Sequence, residues 1–322
     1  MTCQCCSGPT KRFGRFKNRN RIVQRYRCCK CGVTFSEGQP LDGVRVETAK
    51  AVQVVTLLAE GLGVRAISRI TQLDQGTVLN VLETVGRHCA ALLDTRVRNV
   101  KVEQVQIDEV FSFVNCLQAS TSIDDQERGD QYLFLAMERN TKCILHWHVG
   151  KRNTDNAVEF IRGLKGRLTQ DRFQLTSDGF AGYIGFRGAM FQTFRHQIDY
   201  GTEVKLFAAN SARTVGKGKR REFPVVCQWI KRTPRIGNPV MRNLTVNHAE
   251  RNNLSVRLFN KRFARKTICY SKTLENHKHS VALLVAHFNF CRVHSAIKAT
   301  PAQAQGLTDH VWSVEELITA TI

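Results

Sequence analysis

The chain has 322 residues, of which 42% are hydrophobic, so it can bury a sizeable core in one large domain or in two or three smaller ones. Its net charge at pH 7 is +21, from 48 Lys and Arg against 27 Asp and Glu. No stretch approaches the roughly 18 consecutive apolar residues of a membrane helix, and the first residues form no apolar signal region. These features argue against a membrane or secreted protein, and we expect a soluble cytosolic one.

The positive charge is concentrated in two segments. Residues 1–36 contain nine Lys and Arg and no acid, and residues 205–272 contain seventeen with two acids, Glu222 and Glu250. The segments carry +9 and +15, so the rest of the chain nets −3. Such clustering is typical of nucleic-acid binding, whereas general solubility, the alternative explanation, does not require it.

Six of the twelve cysteines lie in the first 31 residues. Two CxxC pairs, separated by 21 residues, are Cys3 with Cys6 and Cys28 with Cys31. Four thiolates at this spacing can surround Zn²⁺ tetrahedrally, so the sequence predicts a zinc ribbon over residues 1–40. The additional thiols of Cys5 and Cys29 leave the ligand set open, and reduced cysteines without metal are the alternative.

Residues 45–95 show the spacing of a helix-turn-helix. A helix over about 47–60 is followed by glycines at 61 and 63, a short helix over 64–71 and a turn in which Asp74 is a candidate N-cap. A third helix then presents Gln75, Thr77 and Asn80 to a DNA major groove. An ordinary pair of short helices is the alternative.

From about residue 100 the pattern changes to strands, then a helix, then a further strand. The order β-β-β-α-β-α predicts an α/β fold with a ribonuclease-H-like core, in which helices flank a mixed sheet. We expect this catalytic domain over residues 100–305, with a basic insertion at about 201–247. Residues 306–322 are expected to form a C-terminal tail.

Three carboxylates are candidate metal ligands. Asp108 lies in the first predicted strand, Asp178 at the end of the fourth, and Glu250 at the start of a later helix. Because the first and fourth strands are neighbours in such a sheet, the three side chains can meet and bind two Mg²⁺ or Mn²⁺ ions.

Three other acids are weaker candidates for the same site. Glu109 is expected to point to the opposite face of its strand, because side chains alternate along a strand. Asp199 and Glu203 are rivals for the third position, but their stretch of sequence is less regular, and we rank them below Glu250.

Residues 247–267 predict one helix with a cationic face. At about 100° per residue, Glu250 shares this face with Leu254, Arg257, Lys261 and Arg265. The opposite face carries Val256, Phe259 and Phe263 and is a candidate core face. A lone carboxylate beside cations suits a metal ion next to a phosphate backbone, and a solvated charged helix is the alternative.

Several long runs extend this interpretation. They are QIDEVFSFV, VGKRNTDNAVEF, LTSDGFAGY, HAERNNLSVRLFNKRFARKTICYSKTLENH and HFNFCRVHSAIKATPAQAQGLTDHVWSVEEL. In this order they resemble bacterial insertion-sequence transposases of the IS-one type, members of the DDE superfamily, over residues 100–318. The resemblance implies that Asp108, Asp178 and Glu250 are the catalytic triad. Phe111 stands where the first motif often has Trp.

The resemblance also implies DNA contacts. Arg251, Asn253 and Arg257 fall in the motif that follows the catalytic Glu, whereas Asn289, Arg292, His294 and the Thr300-Pro301 pair fall in the C-terminal motif. Arg292 and His294 approach DNA or only cap the preceding helix. The loop GKGKRR, residues 216–221, contacts phosphates or is simply exposed. The predicted DNA-contacting residues are Gln75, Thr77, Asn80, Lys217, Lys219, Arg220, Arg221, Arg251, Arg257, Lys261, Arg265, Arg292 and His294.

The function implied is that of a DNA transposase. It would recognise terminal inverted repeats in double-stranded DNA, cleave a strand at each end and join the 3′-hydroxyl to target DNA. We expect a dimer or larger homo-oligomer on DNA, in the bacterial cytoplasm at the nucleoid, with no small-molecule substrate. The alternatives are a catalytically silent DNA-binding regulator and a metal-dependent nuclease or resolvase.

Overall fold

The computed structural model describes most of the chain. The described residues are 2–3, 5–17, 22–36, 41, 43–122, 124–169, 171–207, 227–265 and 267–320. The loop GKGKRR, with the predicted DNA contacts Lys217, Lys219, Arg220 and Arg221, lies outside them.

The N-terminal segment contains a small antiparallel sheet. Its strands, in the order β1-β2-β3, are β1 (Thr10–Lys17), β2 (Ile22–Cys28) and β3 (Thr34–Ser36). Cys3 and Cys28 are buried although few apolar side chains surround them in the sequence. A four-cysteine cluster beside this sheet fits a zinc ribbon.

Three helices follow, as the sequence predicts. They are α1 (Thr48–Ala59), α2 (Val64–Thr71) and α3 (Gln75–Arg96). Gly61 ends the first helix with a φ of +79°, a conformation that favours glycine. The Asp74 side chain accepts the Gly76 N–H at 2.7 Å, which confirms the predicted N-cap. The helices are confirmed, and their recognition of DNA stays a prediction.

The central layer is a mixed six-stranded sheet with helices on its faces. The elements in chain order are β4 (Gln104–Val114), β5 (Gly129–Glu138), β6 (Ile144–Gly150), α4 (Thr154–Lys165), β7 (Gln174–Ser177), α5 (Ala189–Phe194), β8 (Asp199–Phe207) and β9 (Cys227–Ile236). Their order across the sheet is β6-β5-β4-β7-β8-β9. β4 pairs antiparallel with β5 and parallel with β7. β4 and β7, the first and fourth strands of this sheet in chain order, are therefore neighbours, as predicted. The sheet is compatible with a ribonuclease-H-like core.

Parts of the stretch predicted as a basic insertion at about 201–247 belong to the main sheet, and the bounds of the insertion stay a prediction. β8 and β9 pair antiparallel and form one side of the main sheet. Residues 200–203 are all buried, so β8 lacks the alternation of buried and exposed side chains that marks a strand in sequence. The expectation of an irregular stretch around Asp199 and Glu203 is therefore wrong.

The C-terminal part is helical and shares the main core. It contains α6 (Asn247–Phe259), α7 (Leu274–Phe290), α8 (Pro301–Ala304) and α9 (Val314–Thr319). α3 packs so closely on α7 that a Cβ added at Gly86 would lie 2.5 Å from the Cβ of His279. The segment expected as a tail includes α9, whose Leu317 and Ile318 are fully buried. Among the described helices, none combines the length and apolar character that crossing a membrane requires.

The helix predicted over 247–267 ends early. Asn260 adopts an extended backbone, and its side chain accepts the Arg262 N–H, so a short 3-10 turn replaces the last helical turns. Lys261 and Arg265 therefore do not continue the helical face of Glu250, and that part of the prediction is wrong. Val256 is buried, as predicted for the opposite face.

Candidate metal centre

Asp108, Glu109 and Asp178, called the acidic group below, each place a carboxylate oxygen within 4.8 Å of the others. Asp108 and Glu109 lie in the middle of β4, and Asp178 directly follows β7. The parallel register pairs Gln106 with Thr176, so two residues further along Asp178 comes level with Asp108. The sheet itself thus brings two of the three predicted ligands together.

Glu109 belongs to this group, contrary to the expectation that it faces away. Asp178 has left the strand, and its Oδ1 accepts the Phe180 N–H at 2.9 Å, so its carboxylate is not confined to one face. Arg152 approaches both acids, with Nε 3.1 Å from Glu109 Oε2 and Nη2 3.4 Å from Asp178 Oδ2. The alternation of side chains along β4 therefore did not exclude Glu109. Asp178 lies beyond the end of β7, and Arg152 bridges the carboxylates of Asp178 and Glu109.

The acidic group is costly to ionise without a cation. Burial raises the pKa of Asp108 to about 7, and the charges of Asp178 and Glu250 contribute in the same direction. Burial likewise raises the pKa of Glu109 to about 7, with a further contribution from Asp178. A bound divalent cation would favour the ionised carboxylates, and oxygen donors suit hard cations.

Glu250 lies nearby but has another partner. It is in the first turn of α6, and its charge raises the pKa of Asp108. Its carboxylate forms an ion pair with Lys205 of β8, whose Nζ also lies 3.2 Å from Asn247 Oδ1. The structure therefore brings the carboxylates of Asp108 and Asp178 close together, and it leaves Glu250, the third predicted ligand, paired with Lys205.

The two rival acids form ion pairs elsewhere. Asp199 Oδ1 lies 2.6 Å from Arg172 Nη2. The carboxylate of Glu203 is buried and lies 2.8 Å from Arg232 Nη2, and it also accepts the Val246 N–H. Both acids connect β8 to neighbouring segments, and their rank below Glu250 stays a prediction.

Sequence reasoning missed Arg152 and Tyr183 beside the acidic group, and it placed Asn253 in a motif without predicting its contact. Arg152 stacks 4.1 Å from the Phe180 ring centre, and Tyr183 donates its hydroxyl to Glu109. Asn253 Nδ2 donates to Asp108 Oδ2 at 2.7 Å. These residues lie 26 to 145 positions from their partners in the chain, so no local pattern points to the contacts. The runs that contain Arg152 and Asn253 were nevertheless among those that carry the resemblance.

A second candidate metal site lies in the N-terminal ribbon. The sulfur atoms of Cys3, Cys6, Cys28 and Cys31 all lie within 4.8 Å of one another. The Cys3–Cys31 and Cys6–Cys28 sulfur distances are 3.6 and 3.5 Å, close to the ~3.8 Å expected from tetrahedral Zn–S bonds of about 2.3 Å. The backbone N–H groups of Cys31 and Lys30 lower the pKa of Cys28 to about 6, and hence favour a thiolate.

Four of the six N-terminal cysteines form this cluster. Cys5 and Cys29 are exposed and lie outside the four-cysteine cluster. The remaining four match the two predicted CxxC pairs.

The predicted DNA-contacting residues in the described part of the chain differ in their exposure. Gln75 and Asn80 are exposed at the start of α3, where Thr77 is half-buried, and Asn80 donates to the Gly43 carbonyl at 3.1 Å. Of the basic residues in and after α6, Arg251, Lys261 and Arg265 are exposed, and Arg257 is half-buried.

The C-terminal motif packs on α6. The Arg292 guanidinium lies 3.3 Å from the centre of the Phe259 ring, and His294 is half-buried. Asn289 is fully buried and hydrogen-bonds the N–H and carbonyl of Ile144, each at 2.9 Å. Since β6 lies at the edge of the sheet, Asn289 satisfies backbone groups that a further strand would otherwise occupy.

No known protein-family model matches the chain, and no curated protein matches it either. The geometry by itself supports two metal-binding groups, one of thiols and one of carboxylates.

Proposed function

We propose that the chain is a DNA transposase of the DDE type, with a ribonuclease-H-like catalytic core preceded by a zinc ribbon and a helix-turn-helix. It binds the terminal inverted repeats of an insertion element, cleaves a strand at each end and joins the 3′-hydroxyl to target DNA. One observation carries the proposal: adjacent parallel strands bring Asp108 and Asp178 into one half-buried acidic group beside the first turn of α6, which contains Glu250.

The side chains around the acidic group fit divalent cations. Asp108, Asp178 and Glu250 are the proposed ligands, and Glu109 is a further oxygen donor within reach. Asn253 Oδ1 is buried without a hydrogen-bond partner among the described residues, and suits a hydrogen of a metal-bound water. Two bound Mg²⁺ or Mn²⁺ ions would activate the attacking hydroxyl and stabilise the leaving oxygen in displacement at phosphorus.

The chain's own cations have separate tasks in this proposal. Lys205 releases Glu250 to the metal, and Arg152 releases Glu109 and Asp178. Both cations then lie beside the site and can pair with the phosphate that enters it. The exposed Arg251, Lys261 and Arg265 contact the DNA backbone further from the reacting bond.

The N-terminal segments supply recognition of the DNA ends. Zn²⁺ held by the four-cysteine cluster stabilises the ribbon, whose Arg25 and Arg27 lie over the exposed Phe13 ring at 6.0 and 5.3 Å from its centre. The start of α3 reads the major groove. Handling two ends together requires at least a dimer on DNA, in the cytoplasm at the nucleoid.

A catalytically silent DNA-binding regulator is the second candidate. The Lys205–Glu250 ion pair favours it, because a regulator has no need of Glu250 at the acidic group. The two candidates share DNA binding and differ in strand cleavage.

The test is cleavage and joining of a labelled duplex taken from the DNA that flanks the coding region, with Mg²⁺ or Mn²⁺. The wild type is compared with Glu250→Gln, which keeps the shape and removes the charge, and with the control Glu275→Gln on α7. We expect the wild type and the control to nick and join, and Glu250→Gln only to bind. Binding without cleavage by all three proteins would support the regulator, and cleavage without joining would support a nuclease or resolvase.

A further inference from the structure

Two N–H groups in the first turn of α6 are satisfied by the side chain of one strand residue. Its N-cap position is Val246, whose side chain has no hydrogen-bonding atom. Gln106 of β4 replaces the missing cap, because its Oε1 accepts the N–H groups of His248 and Ala249 at 3.0 and 3.1 Å. Gln106 is only 1% exposed, so these bonds are shielded from water.

A second bridge joins the same strand and helix. Asn253 Nδ2 donates to Asp108 Oδ2 at 2.7 Å, and Asn253 is 5% exposed. Asn253 lies three residues after Glu250, on the same side of α6. The bridge therefore connects the helix face that carries one proposed ligand to the strand residue that is another.

The spacing of the two bridges matches on both elements. Gln106 and Asp108 are two residues apart on one face of β4, which corresponds to about 6.6 Å. Ala249 and Asn253 are four residues apart on α6, which corresponds to about 6 Å. Both bridges form at one register only, because sliding the helix by a turn, about 5.4 Å, would break them and carry Glu250 away from Asp108.

Each bridging amide also has one unused atom. Gln106 Nε2 and Asn253 Oδ1 are buried and have no hydrogen-bond partner in the described part of the chain. A buried polar atom without a partner costs free energy, so both are expected to bind something that is not protein. A water held by a metal at Asp108 fits Asn253 Oδ1, because such a water is a hydrogen-bond donor.

We propose that Gln106 and Asn253 are positioning residues of the metal centre: they fix α6 on β4 so that Glu250 lies near Asp108, and Asn253 orients the Asp108 carboxylate. This inference rests on the proposed function, since it assigns both residues to the proposed metal ligands. It predicts that loss of either bridge lowers the affinity for the metal ion, and that this loss is not explained by a lower stability of the fold.

The test uses length-matched variants and Mn²⁺ as the probe. Gln106→Met and Asn253→Leu remove the bridges, and Gln106→Glu keeps an acceptor for the two N–H groups. Gln174→Met is the control, because Gln174 is also a buried strand glutamine that bridges to a backbone, at Val240. Mn²⁺ affinity is measured by calorimetry or electron paramagnetic resonance, and stability by thermal unfolding, on the full chain.

We expect Gln106→Met and Asn253→Leu to lower Mn²⁺ affinity about tenfold or more, the range for groups that orient metal ligands. Gln106→Glu should bind Mn²⁺ more tightly than Gln106→Met, and Gln174→Met should lose stability while keeping its Mn²⁺ affinity.

Two other results are informative. Equal Mn²⁺ affinity in the wild type and the bridge variants would overturn the positioning role while leaving the proposed function intact. A wild type that binds no Mn²⁺ would overturn the proposed function itself. If Gln106→Met does not fold, Asn253→Leu and Gln106→Glu against the wild type still decide the question.

Discussion

Lys205 of β8 and Glu250 of α6 form an ion pair, which leaves Glu250 outside the acidic group of Asp108, Glu109 and Asp178. Both side chains are partly exposed, at 23% and 41%, so the pair is weaker than a buried one. In the proposed function this ion pair competes with the metal for the same carboxylate. If that proposal holds, Lys205 lowers the metal affinity of the site from another element of the fold.

Replacing Lys205 with methionine should raise Mn²⁺ affinity. A partly exposed pair contributes about 0.2–1 kcal/mol, so removing the competitor should strengthen binding by up to about fivefold. The matched control is Lys231→Met, at an exposed position on the neighbouring β9. Calorimetric titration of the metal-free protein measures the effect. Unchanged or weaker binding by Lys205→Met would argue that Glu250 is not a metal ligand.

The acidic group should make the metal-free protein less stable as the pH rises. The pKa of Asp108 is about 7 in the folded chain against an ordinary value of 3.8, so the folded state binds the proton more tightly than the unfolded state. The stability gained from that proton is fully present below about pH 4 and is lost as the pH rises to about 7. Glu109 shifts in the same direction.

Asp108→Asn should therefore unfold at a higher temperature than the wild type at pH 8 without divalent ions, by several degrees. At pH 4 the two proteins should unfold at similar temperatures, because pH 4 is close to the ordinary pKa of 3.8 and little of the stability from the proton on Asp108 has yet been lost. Asp171→Asn, at an exposed position, is the control. A difference that is as large at pH 4 as at pH 8 would contradict a buried, reluctantly ionised Asp108.

Zinc content should distinguish the four clustered cysteines from their neighbours. Cys28→Ser should lose the bound zinc and unfold the ribbon, since a small metal-held domain takes much of its folding free energy from the ion. Cys29→Ser should keep one zinc per chain, because Cys29 is exposed and outside the cluster. Elemental analysis of the purified variants is the measurement. Equal zinc loss in both variants would mean that the four clustered cysteines are not the zinc ligands.

Gly61, in the turn between α1 and α2, packs closely against the end of α6. A Cβ at this position would lie 2.7 Å from the carbonyl oxygen of Leu258, and the φ of +79° is also unfavourable for alanine. Gly43→Ala is a matched control, since Gly43 has a φ of +90° but no heavy atom of the described residues within 4 Å of the added carbon.

We expect Gly61→Ala to destabilise the fold by about 1–3 kcal/mol more than Gly43→Ala, because overpacking adds to the shared backbone cost. Thermal or chemical unfolding measures the difference. If the two variants unfold alike, α6 does not pack closely on the turn at Gly61.

Local patterns in the sequence were sufficient for elements with clear local signals. α2 was predicted with its observed bounds, because glycines precede it and Asp74 caps the next helix. The CxxC pairs likewise identified the four-cysteine cluster. The end of α6 at Phe259 was missed, since residues 260–267 keep a helical pattern of charges although Asn260 breaks the helix.

The contacts that define the site could not be predicted from local sequence patterns. Asp108 and Asp178 could be placed together only through the topology of the sheet. The pairing of Lys205 with Glu250 and the position of Arg152 depend on contacts between distant segments. Glu109 was ranked low because side chains alternate between the two faces of a strand. That rule describes one strand only and does not account for Asp178, which approaches Glu109 from the end of β7.

The most direct test of the central claim is whether the acidic group binds a divalent cation. Mn²⁺ is titrated into the wild type, into Asp178→Asn and into Asp171→Asn, which carries the same substitution at an exposed position seven residues earlier. We predict that the wild type and Asp171→Asn bind Mn²⁺ with equal affinity and that Asp178→Asn loses most of this binding. Equal binding by all three proteins, or none by the wild type, would contradict the assignment of this site as a metal centre.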